Sequence, residues 1–189
     1  MAPRLDSLET IHRACWQGLD RAAQDRAHPW RLMALATVAG HGADQPPSAE
    51  LRHVVLREAE PDSATLRFFT DARSPKVAEL QAQPAASMLV WDEAQGWQLR
   101  LRVRLSIETS GLGVSSRWAR LKMSPAAHDY LSPLPPGTPV AHPLPERGTR
   151  EHFAVVSAQV QEIDWLELHA EGHRRARFDA TGRGQWLTP

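Results

Sequence analysis

The chain has 189 residues, 42% of them hydrophobic, which is enough for one compact core and short for two. We therefore expect a single domain over residues 1–189. Its 22 Lys and Arg residues balance 22 Asp and Glu residues, and a net charge of +0 argues against nucleic acid or a membrane surface as partner. No apolar run is long enough to cross a bilayer, and the first residues lack the apolar core of a signal peptide, so we expect a cytoplasmic protein.

An amphipathic helix is predicted near the N-terminus, at about residues 6–22. Asp6 followed by Glu9 resembles a capping box, and apolar side chains then recur at helical spacing. The only cysteine, Cys15, lies on that apolar stripe, so it is interpreted as a buried structural thiol rather than a nucleophile. With one cysteine, an internal disulfide is excluded.

Most of the remaining chain favours β-structure, because β-branched and alternating apolar residues are bounded by turn-forming residues. The clearest strand begins at Trp97, where apolar residues alternate with polar ones that include three arginines, so one face is core and the other basic. A short helix is predicted at 114–121 and a final hairpin turn at 181–184. The predicted strands are residues 32–38, 48–57, 66–70, 86–91, 97–107 and 153–160.

Proline dominates the stretch at about 125–147, where seven of the chain's prolines fall. Proline has no N–H for a strand ladder, so this stretch is predicted to be a loop, and its fixed φ makes the loop stiff. Two interpretations stay open: a rigid flap over a site or a partner subunit, or a loose surface loop.

The stretch from Arg52 to Lys76 has the residues of a phosphate site. A strand places Arg52 and Arg57 on opposite faces, because side chains alternate. Ser74, followed by proline, is typical of a helix N-cap, and the positive end of a helix favours an anion. Thr70 and Ser74 add hydroxyl donors. On spacing alone, an ordinary capped helix after a β-hairpin is the favoured interpretation.

Three blocks of residues lie in this stretch and its surroundings: Arg-His-Val-Val-Leu-Arg at 52–57, Phe-Thr-Asp at 69–71 leading to Ser-Pro-Lys at 74–76, and Trp-Gln-Leu-Arg-Leu at 97–101. They resemble the pyridoxine/pyridoxamine 5'-phosphate oxidase superfamily of FMN-binding split barrels. That family shows Arg-x-Val-Leu-Leu-Lys, an aromatic-Thr-Asn turn leading to Ser-Arg-Lys, and a strand with Arg-Gln-Val-Arg-Val. The likeness covers most of residues 30–189. It implies a mainly β fold, an FMN-binding split β-barrel with a few peripheral helices.

The resemblance also implies which residues bind FMN. Arg52 and Lys76 would neutralise the phosphate with Thr70 and Ser74 as hydroxyl donors, and the backbone of residues 54–56 would lie along the flavin ring. Gln98 would hydrogen-bond the flavin from either subunit of a homodimer, with Arg177 and Trp165 near the ring. The implied cofactor-binding set is Arg52, His53, Val54, Val55, Leu56, Arg57, Phe69, Thr70, Ser74, Lys76, Gln98, Trp165 and Arg177.

Departures from the family pattern concern the substrate more than the cofactor. Ser-Arg-Lys is replaced by Ser-Pro-Lys, which removes one phosphate ligand that Arg73 could replace. The family's substrate-binding lysine is Arg57 here, which keeps the charge but presents a fork of donors. The oxidase's Tyr, Arg and Ser clamp has no match at equivalent spacing in residues 117–124. The catalytic Arg-x-His order is reversed in the two candidate catalytic residues, His173 and Arg175.

The predicted function is an FMN-dependent oxidoreductase that acts as a homodimer on a small organic substrate. The sequence does not identify that substrate, and an anionic molecule is one candidate. Three alternatives stay open: a genuine vitamin B6 phosphate oxidase, a flavin- or haem-binding protein without turnover, and a dimeric structural protein without a chromophore. A metal site is not predicted, because Gly172 weakens the helix that would bring His169 and His173 together. No P-loop or dinucleotide fingerprint occurs.

Overall fold

The strands of this protein close into an antiparallel split barrel. The computed structural model describes residues 4–40, 46–142, 148 and 151–189. Its strands are β1 (Leu32–Ala39), β2 (Ser48–Glu60), β3 (Thr65–Asp71), β4 (Ala85–Asp92), β5 (Trp97–Glu108), β6 (Phe153–Glu167), β7 (Arg174–Asp179) and β8 (Gly184–Leu187). They hydrogen-bond in the order β3-β2-β1-β4-β5-β6-β7-β8, and a β3–β6 pairing closes the first six into a barrel. The mainly β split-barrel prediction is confirmed.

The predicted strands are all present, and β6 is the one that runs much further than predicted. Val160 pairs with Val103 and Glu162 with Arg102, so Gln161 is an extra residue in the β5–β6 ladder. Such a bulge shifts the inward-facing side chains by one residue, which ends the apolar alternation at Val160. The first half of β6 pairs with β3, and the second half pairs with β7.

The N-terminal helix, α1 (Leu8–Gln24), covers the barrel beside β2 and β8. Its N-cap is Ser7, whose hydroxyl accepts a hydrogen bond from the Thr10 N–H at 3.2 Å, so the predicted Asp6–Glu9 capping box is wrong by one residue. Cys15 is fully buried on the apolar stripe as predicted, and burial raises the pKa of its thiol. A Cβ on Gly18 would stand 2.2 Å from the Trp30 ring, so only glycine allows this packing.

The described residues also form two shorter α-helices, α2 (Pro75–Ala82) and α3 (Leu112–Leu121). α2 begins directly after Ser74, as its Ser-Pro signal predicts, and its buried Val77 and Leu80 face β1 and β5. α3 covers a second apolar cluster outside the barrel, formed by Val114, Tyr130, Phe153 and Val155. No helix in the described ranges has the length and apolar character needed to span a bilayer.

The described part of the proline-rich stretch lies against the start of α2. Pro125–Tyr130 forms a 3-10 helix, and the chain then passes Arg73, whose guanidinium donates hydrogen bonds to the Ser132 and Leu134 carbonyls at 2.8 and 3.4 Å. Residues 143–147 of the predicted loop lie outside the described residues. Where it is described, this loop is attached beside the start of α2.

Candidate functional site

The barrel opens where β2 and β3 separate. Their ladder runs from Glu60, opposite Thr65, to Leu56, opposite Phe68. β3 pairs with β6 along its whole length, so beyond that point it has β6 as its only strand partner, and residues 48–55 of β2 pair with β1 on one side only. Alternate N–H and C=O groups of an antiparallel strand point to opposite sides, so in this stretch half of them point away from β1. They form a backbone edge along which a flat ligand can lie.

Lys76 lies at the end of this opening. Its ammonium donates hydrogen bonds to the Ser74 hydroxyl at 2.6 Å and to the Thr70 hydroxyl at 3.1 Å, and both of these residues are buried. In the ranges the structure describes, no carboxylate oxygen lies within 4.0 Å of the ammonium. An ammonium has three donors, so one remains for an anion. We call Arg52, Thr70, Ser74 and Lys76 the Lys76 site.

The pKa of Lys76 is lowered from its ordinary value. Burial is the largest cause, and the positive charge of Arg52 adds to it, while Glu79 and Asp71 act in the opposite direction. A bound anion would relieve both unfavourable effects, because it stabilises the charged form of the amine.

The start of α2 offers few backbone donors to this site. Pro75 has no N–H, and the N–H of Val77 bonds to the Ser74 carbonyl at 2.9 Å. Anion binding here must therefore depend on side chains more than on the helix N-terminus.

Arg52 lies on the same face of β2 as the buried Val54 and Leu56, opposite to Arg57 as predicted, but it is not free. One guanidinium nitrogen, Nη2, lies 2.8 Å from the Glu79 carboxylate, and Nη1 contacts the Thr37 hydroxyl. An anion bound at Lys76 would therefore share Arg52 with Glu79.

Arg73, which could replace the phosphate ligand that the Ser-Pro-Lys sequence lacks, is engaged by other groups in this structure. Its Nε and Nη2 bond to both oxygens of Asp71, at 3.1 and 2.7 Å, and its remaining donors reach the carbonyls of the proline-rich loop. Asp71 is buried and only two residues away, so it captures the guanidinium locally.

Arg57 lies on the opposite face of β2, in a cavity of about 350 Å³. Its guanidinium carbon is 5.8 Å from the centroid of the Phe69 ring. Within this cavity Arg117 holds Glu58 through two hydrogen bonds of 2.8 and 2.6 Å. We call the cavity the arginine pocket; its lining residues are Arg26, Arg31, Arg57, Glu58, Phe69, Arg117, Arg120, Leu121 and Ser124. Among the described lining residues, five arginines face one carboxylate, which favours an anionic ligand.

Residues 117–124, which do not match the spacing of the family clamp, nevertheless contribute side chains to this pocket. Arg117 and Arg120 are three residues apart on α3, and side chains at that spacing lie on one helix face. Ser124 follows the helix and lies in the same cavity. Helical spacing, rather than motif spacing, was the signal that could have found them.

Gln98 and Arg177 lie on a different surface from the Lys76 site. Gln98 is on the face of β5 that points away from the core, opposite Trp91 and Leu166. Arg177 lies on the same side of the sheet, 3.7 Å from Glu162, beside a groove of about 350 Å³. We call this surface the outer face; besides Gln98 and Arg177 it carries Leu51, His53, Leu89, Trp91, Arg100 and Asp164. A single chain does not bring the whole predicted cofactor set together.

Trp165 does not fit its predicted place near a flavin. Its side chain is 0% exposed and packs edge-to-face on Trp97, with ring centroids 5.3 Å apart. In β6 its neighbours Asp164 and Leu166 point outward, so alternation turns Trp165 into the core. A side chain without accessible surface cannot contact a ligand.

The two candidate catalytic residues also lie elsewhere. His173 is exposed in the β6–β7 turn, where its ring accepts a hydrogen bond from the His169 N–H. Arg175 is bound to both oxygens of Asp164, at 2.9 and 2.7 Å. Among the described residues, neither forms a hydrogen bond or ion pair with the Lys76 site. Burial would raise the pKa of Asp164, but Arg175 and Arg100 lower it on balance.

Solved structures with the same fold are known. A pyridoxamine 5'-phosphate oxidase-related, FMN-binding protein from Nostoc punctiforme PCC 73102 is 24% identical, with 94% of this chain and 96% of that chain covered and a TM-score of 0.68. PhzG from Burkholderia lata 383, solved with tetrahydrophenazine-1-carboxylic acid, is 20% identical over 100% and 95% of the two chains, with a TM-score of 0.65. A haem-binding protein from Mycobacterium smegmatis is 16% identical over 87% and 59%, with a TM-score of 0.51.

These likenesses confirm the fold, whereas the family is shown by a match to a family model. No curated protein sequence matches the chain significantly. The model of the pyridoxamine 5'-phosphate oxidase FMN-binding domain matches residues 13–109, which is just over half of the chain and contains both the Lys76 site and β5. The chain therefore belongs to the pyridoxamine 5'-phosphate oxidase family of FMN-binding domains.

Proposed function

We propose that this protein is a homodimeric FMN-dependent oxidoreductase that acts on a small anionic substrate. The observation that carries the proposal is the half-buried ammonium of Lys76, held by two hydroxyls and no carboxylate among the described residues, beside an open backbone edge of β2. This combination suits a ligand with a phosphate at one end and a flat ring at the other.

The residues of the Lys76 site fit the phosphate of FMN. Lys76 supplies a charge with a spare donor, Thr70 and Ser74 supply hydroxyls, and Arg52 adds a second positive charge. The free backbone edge at residues 53–55 would hold the ring, and Leu56 lies where β3 joins the strand, so His53, Val54, Val55 and Leu56 would be the neighbours of the ring. When bound, FMN supplies a ring that accepts a hydride, so the chain's task is to bind and orient the reactants.

The arginine pocket is the proposed substrate site. Arg57 directly follows the ring-binding stretch of β2, so a ligand in this pocket lies at the end of that stretch. Arginine presents paired donors that match a carboxylate or a phosphate. Phe69 adds an apolar wall next to Arg57, suited to the body of a small organic anion.

A second copy of the chain would complete the flavin site. The outer face, which carries Gln98 and Arg177, also exposes large apolar side chains: Leu51 is 72% exposed, and Leu89 and Trp91 are about two-fifths exposed. An exposed apolar patch of this kind is typical of a protein interface. Dimerisation through this face would cover it and bring Gln98 and Arg177 toward the partner's β2 opening.

The proposal is tested by the visible absorption spectrum of the freshly purified protein, followed by chromatography of the released chromophore. Stoichiometric FMN that is reduced anaerobically by a candidate donor supports an oxidoreductase. Oxidation of pyridoxamine 5'-phosphate would identify a genuine oxidase, whereas bound flavin that no donor reduces would indicate a binding protein. A haem spectrum, or a colourless protein that takes up no added FMN, would overturn the proposal.

A further inference from the structure

We propose that Glu79 is a specificity-determining residue of the Lys76 site. Its carboxylate competes with the FMN phosphate for Arg52 and thereby limits the preference of the protein for FMN over riboflavin. This inference rests on the proposed FMN site. Glu79 would set how strongly the phosphate contributes to flavin binding.

Glu79 is held firmly inside the site. It lies on α2, three residues after Lys76, and its side chain is 11% exposed. Its Oε2 atom accepts hydrogen bonds from Arg52 Nη2 at 2.8 Å and from the hydroxyl of Thr37, a residue that is itself buried. The carboxylate therefore occupies one donor of the guanidinium that the phosphate needs.

The charges of the site explain the expected effect. Arg52 and Lys76 carry two positive charges, and Glu79 cancels one of them; the charge of Asp71 is already balanced by Arg73. A phosphate monoester brings roughly two negative charges at neutral pH. Repulsion between that phosphate and a partly buried carboxylate several ångströms away is weakly screened. Riboflavin lacks the phosphate, so Glu79 does not affect its affinity in this way.

Glu79→Gln separates the charge of this residue from its role in orienting Arg52. The amide keeps an oxygen that accepts from Arg52 and Thr37, at nearly the same size, and removes only the negative charge. Glu50→Gln is a matched control, because the Glu50 carboxylate is 3.9 Å from the same Arg52 nitrogen but its side chain is 49% exposed. Both variants change the net charge of the chain equally.

The experiment measures dissociation constants of FMN and riboflavin for the apoprotein by quenching of flavin fluorescence, in the wild type and both variants. We expect Glu79→Gln to bind FMN about tenfold more tightly and riboflavin almost unchanged, and Glu50→Gln to shift FMN by less than about threefold. The readout is the ratio of the two constants, because a general loss of stability would change both flavins together.

Three results would overturn the inference. In the first, the wild type prefers FMN and Glu79→Gln shows the same or a lower preference. That result would refute the role of Glu79 but leave the proposed function intact. Equal gains in Glu79→Gln and Glu50→Gln would assign the effect to net charge instead. A wild type that binds neither flavin would refute both the inference and the proposed function.

Discussion

Replacing Lys76 by methionine tests the proposed phosphate contact most directly. Methionine keeps most of the unbranched side chain and removes the ammonium, which contacts Thr70 and Ser74 and has no carboxylate partner within the described ranges. Unlike Arg52, whose guanidinium is shared with Glu79, this cation has a donor left for a ligand. We therefore expect Lys76→Met to lose the phosphate contact without leaving a buried carboxylate unpaired.

The size of the effect follows from the character of this contact. A hydrogen bond to a charged group contributes about 1.5 to 3 kcal/mol, which corresponds to roughly 10- to 150-fold in the dissociation constant of FMN. Riboflavin, which has no phosphate, should bind the variant nearly as well as the wild type. Because burial lowers the pKa of Lys76, its loss should not destabilise the folded protein.

The assay is flavin fluorescence titration of the apoprotein, with Lys122→Met as the control. Lys122 is the only other lysine in the chain, and it is exposed after α3. Unchanged FMN affinity in Lys76→Met, or equal losses for FMN and riboflavin, would refute the assignment of the phosphate to this site.

Three further predictions concern the substrate pocket, the dimer and the stability of the barrel. Arg57→Ala should weaken the binding of pyridoxamine 5'-phosphate, used as an anionic probe, by about tenfold or more while FMN affinity changes little, measured by titration of the FMN-loaded protein. Leu51→Glu should convert the proposed dimer to a monomer in analytical ultracentrifugation, because it places charge on the outer face. Glu167→Gln should lower the free energy of unfolding by about 1 to 3 kcal/mol in urea, because Arg4 and Arg174 lose a buried partner. Burial would raise the pKa of Glu167, but Arg174 and Arg4 outweigh burial and hold it below its ordinary 4.5. The stabilisation by these ion pairs is therefore complete above pH 4.5 and is lost as the pH falls through the lower pKa of the folded state.

Each of these predictions has a control and a contradicting result. A parallel loss of FMN in Arg57→Ala would place the arginine pocket in the cofactor site rather than beside it. Leu112→Glu is the control for Leu51→Glu, because Leu112 is 89% exposed at the start of α3, away from the outer face; monomers in both variants would argue against a specific interface. A Glu167→Gln variant as stable as the wild type at pH 7 would contradict the ion-pair explanation.

Local sequence patterns were sufficient for β1 to β5 and the first half of β6, for the start of α2 and for the two faces of β2. Alternation of side chains in a strand depends only on the backbone, so Arg52 and Arg57 had to lie on opposite sides. The Ser-Pro pair likewise specifies a helix start within two residues. The family resemblance, carried by short blocks along the chain, was sufficient to predict the barrel itself.

The partners of the site residues depended on how the barrel closes. Glu79 meets Arg52 because α2 packs across β1, and Arg73 meets the proline-rich loop across about 60 residues of sequence. Trp165 turned inward because the bulge at Gln161 shifted the register of β6, a feature that apolar alternation does not reveal.

The amino-acid sequence thus determined the strand faces and the start of α2, because side-chain alternation and helix capping are local properties of the chain. The resemblance to the family added which residues there would bind a flavin phosphate. Which of them are free to do so was specified by contacts between distant segments. Lys76 keeps an available charge, Arg52 shares its charge with Glu79, and Arg73 gives its charge to Asp71 and the loop. Those contacts exist only once strand register and barrel closure have brought α2, β1, β2 and the loop together.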